Sequence, residues 1–249
     1  MTNDLSVSPV NNHQPIILLH GWGMNASVFQ PLQKLLSDSR QVYCVDLPGY
    51  GSNPWQAGLS FEDQAASIAV NLPAGILIGW SMGGLYATEV VRQNPGRFAQ
   101  LILVCSNPCF VHREDWQCAV KVSVFDAFAD DLASGWSTTI RRFLSLQMLG
   151  DKNARPLIRE LVMNIQSAGE PDSEVLRYGL ELLKTYDSRS VLADIDIPVK
   201  MILGQCDVMV PAGLAKEILK VNPRIQVELM ADAAHAPFLS HPDHFISLI

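Results

Sequence analysis

The sequence predicts an α/β fold, with a doubly wound and mostly parallel sheet that carries an inserted helical segment. Short apolar runs alternate with amphipathic stretches up to about residue 110, and this alternation resumes near residue 191. The segment 111–190 has mostly helical patterns. We therefore expect a core formed by 1–110 and 191–249, with 111–190 as a helical lid over the sheet edge where ligands bind. Extra core helices without a gating role are the alternative for this insertion.

Each predicted element follows from its local pattern. Apolar runs bounded by turn residues predict buried strands at Ile16–His20, Val42–Asp46, Ile76–Gly79, Leu101–Cys105, Val199–Leu203 and Ile225–Leu229. Apolar residues at helical spacing predict the core helices Ala26–Leu36, Phe61–Leu72, Met82–Gln93, Ala212–Val221 and Pro242–Ile249. The same spacing predicts four helices in the insertion, at Val120–Leu132, Trp136–Met148, Ala154–Ile165 and Glu174–Thr185.

Composition and charge narrow the possible functions. Of the 249 residues, 48 % are hydrophobic and 17 % charged, so we expect a large core. The net charge of −7 argues against a general nucleic-acid-binding protein, because phosphate contacts need a basic surface. No run approaches the roughly 20 apolar residues of a membrane helix. The first 15 residues are polar and contain no apolar signal segment. The chain has five cysteines, and this odd number favours free thiols. From both observations we expect a cytoplasmic protein.

The pentapeptide GWSMG, Gly79–Gly83, matches the pattern G-x-S-x-G between a predicted strand and a predicted helix. In this context the serine lies on a sharp, strained turn, and side chains in place of Gly79 or Gly83 would collide. Ser81 is then held at a helix N-terminus, where backbone N–H groups favour developing negative charge. We interpret Ser81 as a nucleophile. The alternative is a glycine-rich turn with an incidental serine.

A nucleophilic serine needs a base, and a base of this kind needs an acid that orients it. With such a serine turn, the order along the chain is serine, acid, histidine. His235 lies in the loop after the last predicted strand and is the candidate base, with His112 as a minor alternative. Asp207 lies in the loop after the preceding strand and is the candidate acid. Asp232 is nearer to His235 in sequence, but we expect it to shape a turn.

The residues HGWG follow the first predicted strand and predict an oxyanion hole. Such a hole takes one N–H from the residue after the nucleophile, here Met82, and one from a loop of this kind, where Trp22 occupies the donor position. Loss of one donor typically lowers turnover ~10²–10³-fold. A plain glycine turn is the alternative, and the accompanying serine motif argues against it.

These motifs make the chain similar to the α/β-hydrolase family, and within it to the family of pimeloyl-acyl-carrier-protein methyl ester esterases of biotin synthesis. The resemblance runs from Ile16 to the C-terminus. Much of the larger family shares HGWGMNASVF, VDLPGYG and GWSMGG, whereas RFLSLQ, GLELLKT and AAHAPF are more particular. The resemblance implies a serine carboxylesterase whose triad is Ser81, Asp207 and His235. It also implies that Trp22 and Met82 are the oxyanion donors and that Phe143 lines the acyl pocket.

The resemblance further implies a protein partner. Members of that family act on an ester borne by an acidic acyl carrier protein and use lid arginines for docking, and the corresponding residues here are Arg142, Arg155 and Arg159. Thr138 replaces a further family arginine. Independently of the family, segment 140–160 holds five basic and two acidic residues in an acidic chain, which favours a local anionic partner. A solvated helix face is the alternative. We expect a monomer that uses no metal and no organic cofactor.

Two other functions stay open on the sequence. A broad short-chain carboxylesterase without a carrier partner would need the same triad. A catalytically inactive hydrolase fold could act as a binding protein, although such a protein has no need of Ser81, Asp207, His235 and HGWG together. Among the thiols, Cys105 is the nearest rival nucleophile because it ends a predicted strand, and we expect its replacement by alanine to leave full activity.

Overall fold

The computed structural model describes residues 14–132, 135–147, 158–159, 161–163, 165 and 169–249. Six strands form one parallel sheet in the order β2-β1-β3-β4-β5-β6. They are β1 (Ile16–Leu19), β2 (Val42–Val45), β3 (Ile76–Trp80), β4 (Gln100–Val104), β5 (Val199–Gly204) and β6 (Gln226–Met230). In the register of the sheet, Ile16 lies opposite Val42 on one side and Ile76 on the other. The predicted doubly wound sheet is confirmed.

The order of the strands determines where ligands can reach the sheet. The chain starts at β1, winds outward to β2, returns to β3 and then continues through β4 to β6. Because right-handed crossovers in opposite directions lie on opposite faces, the switch between β1 and β3 opens a crevice at the carboxyl ends of these strands. Strands β1, β3 and β4 are buried along their whole length, whereas β6 at the edge is largely exposed.

The helices match the predicted ones to within a few residues at most ends. They are α1 (Gln30–Leu36), α2 (Phe61–Ala69), α3 (Met82–Gln93), α4 (Val122–Leu132), α5 (Trp136–Gln147), α6 (Ser173–Thr185), α7 (Arg189–Asp194), α8 (Leu214–Val221), α9 (Pro237–Ser240) and α10 (Pro242–Ser247). The predicted helix Ala26–Leu36 begins as a 3-10 turn, Ala26–Phe29. The short helices α7 and α9 were not predicted. No helix in the described ranges is both long and apolar enough to cross a bilayer.

The insertion places α4, α5 and α6 between β4 and β5. Its aromatic residues Phe125, Phe128, Trp136 and Phe143 are buried. At its base the two connections to the sheet core are joined, because the backbone N–H of Ser188 donates to the carbonyl of Pro108 at 2.8 Å. The predicted helix Ala154–Ile165 is helical at each described position from 158 to 165. Met148 and Arg155 lie outside the described residues.

Candidate active site

Ser81 lies on a strained turn between β3 and α3. Its backbone has φ 55° and ψ −123°, a left-handed conformation that a non-glycine residue adopts only when its surroundings impose it. A Cβ on Gly79 would lie 2.4 Å from the carbonyl oxygen of Gly83, and one on Gly83 would lie 2.3 Å from that of Leu19. Both positions therefore require glycine for the reason that the motif suggests, and the turn projects Ser81 at the carboxyl edge of the sheet.

His235 and Asp207 meet at the same edge. The Nδ1 of His235 lies 2.7 Å from Oδ2 of Asp207, and both side chains are buried. The other carboxylate oxygen, Oδ1, accepts the backbone N–H groups of Met209 at 2.8 Å and Val210 at 2.9 Å. Because the carboxylate of Asp207 accepts a hydrogen bond from Nδ1, that nitrogen carries a proton, and Nε2 is left as the nitrogen that can act as a base.

The basic nitrogen of His235 is buried and has no hydrogen-bond partner within the described part of the chain. In this structure it therefore makes no hydrogen bond to Ser81 Oγ. Hydrogen bonds of catalytic groups commonly tighten only when substrate is bound. The backbone of His235 is fixed independently of its ring: its N–H donates to the carbonyl of Gln147 at 3.0 Å, and its carbonyl accepts the indole N–H of Trp80 at 2.7 Å.

The loop after β1 brings Trp22 to the nucleophile. A Cβ on Gly21 would lie 3.1 Å from Ser81 Cβ and 3.5 Å from Ser81 Oγ, so the loop passes directly beside the serine. The indole of Trp22 is buried and donates to the carbonyl of Leu176 on α6 at 2.8 Å. Its ring packs edge-on against Phe143 on α5, with centroids 4.8 Å apart. Two helices of the insertion thus hold the side chain of Trp22. The backbone N–H of the same residue is the candidate oxyanion donor.

His20 is a site residue that sequence reasoning did not single out. Its Nε2 accepts the backbone N–H of Leu47 at 3.0 Å, and its Nδ1 lies 2.8 Å from the carbonyl of Gly21. Burial lowers the pKa of His20 to about 4, although the Gly21 carbonyl and the charge of Asp46 oppose this shift. A neutral His20 therefore ties the candidate oxyanion loop to the loop after β2. The feature of the sequence that could have identified His20 is its position directly after a buried strand.

Cys105 lies against the acid–base pair but is not arranged as a nucleophile. Its sulfur, one carboxylate oxygen of Asp207 and one ring nitrogen of His235 form a buried cluster in which these three atoms lie within 4.8 Å of one another. Burial, and next the charge of Asp207, raise the pKa of this thiol well above its usual value, so it stays protonated. The alternatives Asp232 and His112 are absent from this cluster. Asp232 is an exposed turn residue with φ 58°, and His112 pairs with Gln117.

Two of the three predicted docking arginines, Arg142 and Arg159, belong to the described residues of the insertion. Arg142 is exposed on α5 and forms an ion pair with Asp131 on α4. It borders a groove of about 520 Å³ whose lining includes Val124, Phe128 and Leu146. Arg159 and Thr138 are exposed. The structure thus packs Phe143 against Trp22, the residue after the Gly21 that adjoins Ser81, and it places Arg142 on the outer side of the same helix as Phe143.

Comparisons with known proteins agree with this architecture. A pimeloyl-[acyl-carrier protein] methyl ester esterase from Salmonella paratyphi A is 38 % identical over 231 residues, which cover 92 % of this chain and 90 % of that protein. Among solved structures, an esterase from Exiguobacterium antarcticum has a TM-score of 0.84 at 22 % identity and covers 96 % of this chain and 91 % of its own. A bromoperoxidase from Bacillus anthracis has a TM-score of 0.82 at 18 % identity, with 95 % and 90 % covered.

At these identities the solved structures bear on the fold alone, whereas the sequence relative covers nearly the whole chain. Residues 16–247 also match the alpha/beta hydrolase family, a range that includes every strand and every candidate site residue. From that match, and from the relative at 38 % identity, it follows that this chain belongs to the alpha/beta hydrolase family.

Proposed function

We propose that this protein is a serine carboxylesterase that hydrolyses the methyl ester of a pimeloyl group carried by an acyl carrier protein. The observation that carries the proposal is the buried His235–Asp207 pair at 2.7 Å, at the same sheet edge as the strained Ser81. The choice of substrate is supported by the relative at 38 % identity, which is named for that reaction.

In the first step the hydroxyl of Ser81 attacks the ester carbonyl while His235 Nε2 takes its proton. Asp207 accepts the Nδ1–H of the resulting imidazolium and holds the ring in place. The backbone N–H groups of Trp22 and Met82 stabilise the oxyanion that forms on the carbonyl oxygen. Burial of the acid–base pair excludes water and strengthens each of these interactions.

The tetrahedral intermediate collapses when His235 returns the proton to the leaving methoxy oxygen. Methanol departs and the acyl group stays as an ester on Ser81. Water then enters, His235 takes one of its protons, and the hydroxide oxygen attacks the acyl carbonyl. A second collapse returns the proton to Ser81 and releases the carboxylic acid, which remains attached to the carrier. All protons are exchanged between the substrate, water, Ser81 and His235.

The acyl chain is proposed to lie against the aromatic residues of the insertion. Phe143 contacts both Trp22 and Phe128, with ring centroids 4.8 Å and 5.1 Å apart. These rings connect the candidate oxyanion loop to α4 and α5, so an acyl chain that leaves Ser81 in this direction meets an apolar wall. We infer that Phe143 lines the pocket, as the family resemblance implies.

We further infer that the carrier protein docks on the arginines of the insertion, Arg142, Arg155 and Arg159. Support comes from the basic segment 140–160 in a chain of net charge −7 and from the exposure of Arg142 and Arg159. Arg142 is already paired with Asp131, so a carboxylate of the carrier would exchange with that partner. We place the reaction in the cytoplasm, which five unpaired cysteines favour.

The test compares kcat/KM for a carrier-linked pimeloyl methyl ester with that for the same ester free in solution, with Ser81→Ala as the control for the nucleophile. We expect clear preference for the carrier-linked ester and no turnover by Ser81→Ala. Equal kcat/KM for both esters would instead favour a broad short-chain carboxylesterase. Absence of turnover on every ester would favour an inactive fold that serves as a binding protein.

A further inference from the structure

Ser106 lies just beyond the end of β4 and is 2 % exposed. Its hydroxyl donates to the backbone carbonyl of Ser81 at 2.8 Å. Nothing in the pattern around Ser106 marks it as a site residue, because it comes 25 positions after the candidate nucleophile and follows a different strand. The contact exists only because parallel pairing aligns the ends of β3 and β4.

The hydrogen bond from Ser106 acts on a particular peptide unit. The carbonyl of Ser81 and the N–H of Met82 belong to one peptide, which is planar, with the two groups pointing in opposite directions. Fixing the direction of the carbonyl therefore fixes the direction of the N–H. That N–H is the proposed oxyanion donor. A donor at the carbonyl also polarises the peptide and makes its N–H a stronger donor.

The end of β4 also fixes the backbone N–H of Ser81. The N–H of Ser81 donates to the carbonyl of Val104 at 3.0 Å, and the carbonyl of Ser81 also accepts the N–H of Gly84 at 2.9 Å. The strained backbone of Ser81 is thus fixed at both of its polar groups by neighbours. Among these contacts Ser106 supplies the one that comes from a side chain, so it is the one that a substitution can remove.

The same contact explains why the third glycine of GWSMGG, Gly84, is a glycine. The serine turn requires Gly79 and Gly83, but the general pattern leaves the next position free. A Cβ on Gly84 would lie 2.2 Å from Ser106 Oγ and 2.5 Å from Ser106 Cβ. Glycine at this position lets the side chain of Ser106 pass under the first turn of α3 and reach the carbonyl of Ser81.

We propose that Ser106 is a positioning residue that orients the Ser81–Met82 peptide and thereby its oxyanion-donating N–H. This inference rests on the proposed serine esterase function. Because the oxyanion forms only in the transition state, removal of the hydroxyl should lower kcat and leave KM nearly unchanged. For one neutral hydrogen bond we expect a loss in kcat of about fivefold to tenfold in Ser106→Ala.

A matched control separates this role from loss of a buried hydrogen bond in general. Ser188 is also buried, its hydroxyl donates to the carbonyl of Pro108 at 3.2 Å, and that carbonyl likewise accepts a backbone N–H. Ser188 lies at the base of the insertion, and we expect Ser188→Ala to keep the kcat of the wild type. The melting temperatures of the two variants should fall by similar amounts.

The experiment measures kcat, KM and the acid limb of the pH–rate profile on a soluble methyl ester. We expect Ser106→Ala to lose kcat alone, with the apparent pKa of the acid limb unmoved because His235 is untouched. Wild-type kcat in Ser106→Ala, or an equal loss of kcat in Ser188→Ala, would overturn the inference. If Ser106→Ala is too unstable to assay, Ser106→Cys keeps only a weak donor and should show the same pattern. Wild-type kcat in that variant would equally overturn it.

Failure of this inference can be distinguished from failure of the proposed function. If Ser81→Ala abolishes turnover while Ser106→Ala keeps full kcat, the esterase mechanism stands and the positioning role does not. If Ser81→Ala retains turnover, the nucleophile itself is wrong, and the role assigned to Ser106 is overturned with it.

Discussion

At the scale of single residues, the side chains of Asp207 and His20 are buried polar groups of the candidate site that have fixed partners. Asp207 uses one carboxylate oxygen for His235 and the other for two backbone N–H groups. His20 is held as a neutral ring between Leu47 and Gly21. A buried polar group without a partner costs about 1–3 kcal/mol, so such networks set geometry as well as stability.

The buried His20 predicts a pH dependence of stability. Its pKa is lowered to about 4 in the folded protein, below the ordinary value of 6.5. The unfolded chain therefore binds a proton at a pH where the folded protein does not, so stability falls as the pH falls from about 6.5 towards 4. The contribution of His20 should lower the free energy of unfolding by about 3 kcal/mol when the pH reaches 4.

Urea denaturation at pH 7 and pH 5 measures this effect. The variant His20→Gln cannot titrate and keeps a side-chain acceptor for the N–H of Leu47. We expect its free energy of unfolding to change less between the two pH values than that of the wild type, and the difference between the proteins isolates His20. An identical pH dependence in both would show that His20 titrates normally in the folded state.

At the scale of elements, the helices of the insertion form one wall of the site. Helix α5 reaches both candidate catalytic loops: Phe143 packs on Trp22, and the carbonyl of Gln147 accepts the N–H of His235. Helix α6 anchors the indole of Trp22 through Leu176. The insertion therefore supports the candidate oxyanion loop and the candidate base loop together.

Gly179 on α6 provides a test of this support. A Cβ at this position would lie 2.6 Å from Trp22 Cδ1, too close for both to keep their places. Alanine in a helix interior otherwise gains up to ~1 kcal/mol over glycine. We expect Gly179→Ala to keep its helical circular dichroism but to lose about tenfold or more in kcat, because Trp22 must move and carry the oxyanion donor with it.

Gly213→Ala is the matched control for that substitution. Gly213 precedes α8, has a helical backbone, and within the described residues its added Cβ would meet Cys118 Sγ alone, at 3.2 Å. Its kcat should equal that of the wild type. Full activity in Gly179→Ala would mean that the position of the Trp22 side chain does not set the oxyanion geometry.

The sequence predicts the sheet, most helices and the proximity of His235 to Asp207, because these follow from local patterns and chain order. The strands are apolar runs, and Ser81, Asp207 and His235 each follow one of them. The missed features depend on contacts between distant residues. The bond from Ser106 to Ser81 and that from Gln147 to His235 span 25 and 88 positions, and no local spacing encodes them.

The short helices α7 and α9 show the limits of periodicity in short segments. The predicted helix Pro242–Ile249 is present as α10, which ends two residues earlier, whereas the four-residue α9 before it was not predicted; each begins at a proline, with His241 between them. Proline fits the first helical position and interrupts a helix that already exists. Helix α7 has six residues, too few for apolar spacing to be recognised.

At the scale of the whole molecule, charge is distributed unevenly. The chain carries −7 overall, so an acidic partner is repelled at long range unless a basic patch faces it. Segment 140–160 is the basic exception, and two of the three proposed docking arginines, Arg142 and Arg159, are exposed. Salt screens such attraction over a Debye length of about 8–10 Å at physiological ionic strength.

Replacing Arg155 and Arg159 by glutamate tests whether these charges recruit a carrier. We expect the KM for a carrier-linked ester to rise on the order of tenfold at low salt and its salt dependence to flatten, because rim charges mainly govern encounter. Hydrolysis of a small free ester should change little. Equal losses on both substrates would mean that the arginines stabilise the insertion.

The control for net charge is the double variant Lys216→Glu and Lys220→Glu. Both lysines are exposed on α8, outside the insertion, and the change in charge is the same. We expect this variant to retain most of the wild-type KM for the carrier-linked ester. A matching rise in KM would assign the effect to overall charge and remove the support for a docking patch.

Covalent labelling tests most directly whether Ser81 is a nucleophile that His235 activates. The enzyme is treated with an organophosphonate ester, and mass spectrometry of its peptides locates the adduct. We predict one adduct per chain on Ser81, formed in step with loss of esterase activity and far more slowly in His235→Ala, which lacks the base. An adduct on another residue, such as Cys105, that forms as activity disappears would contradict the account.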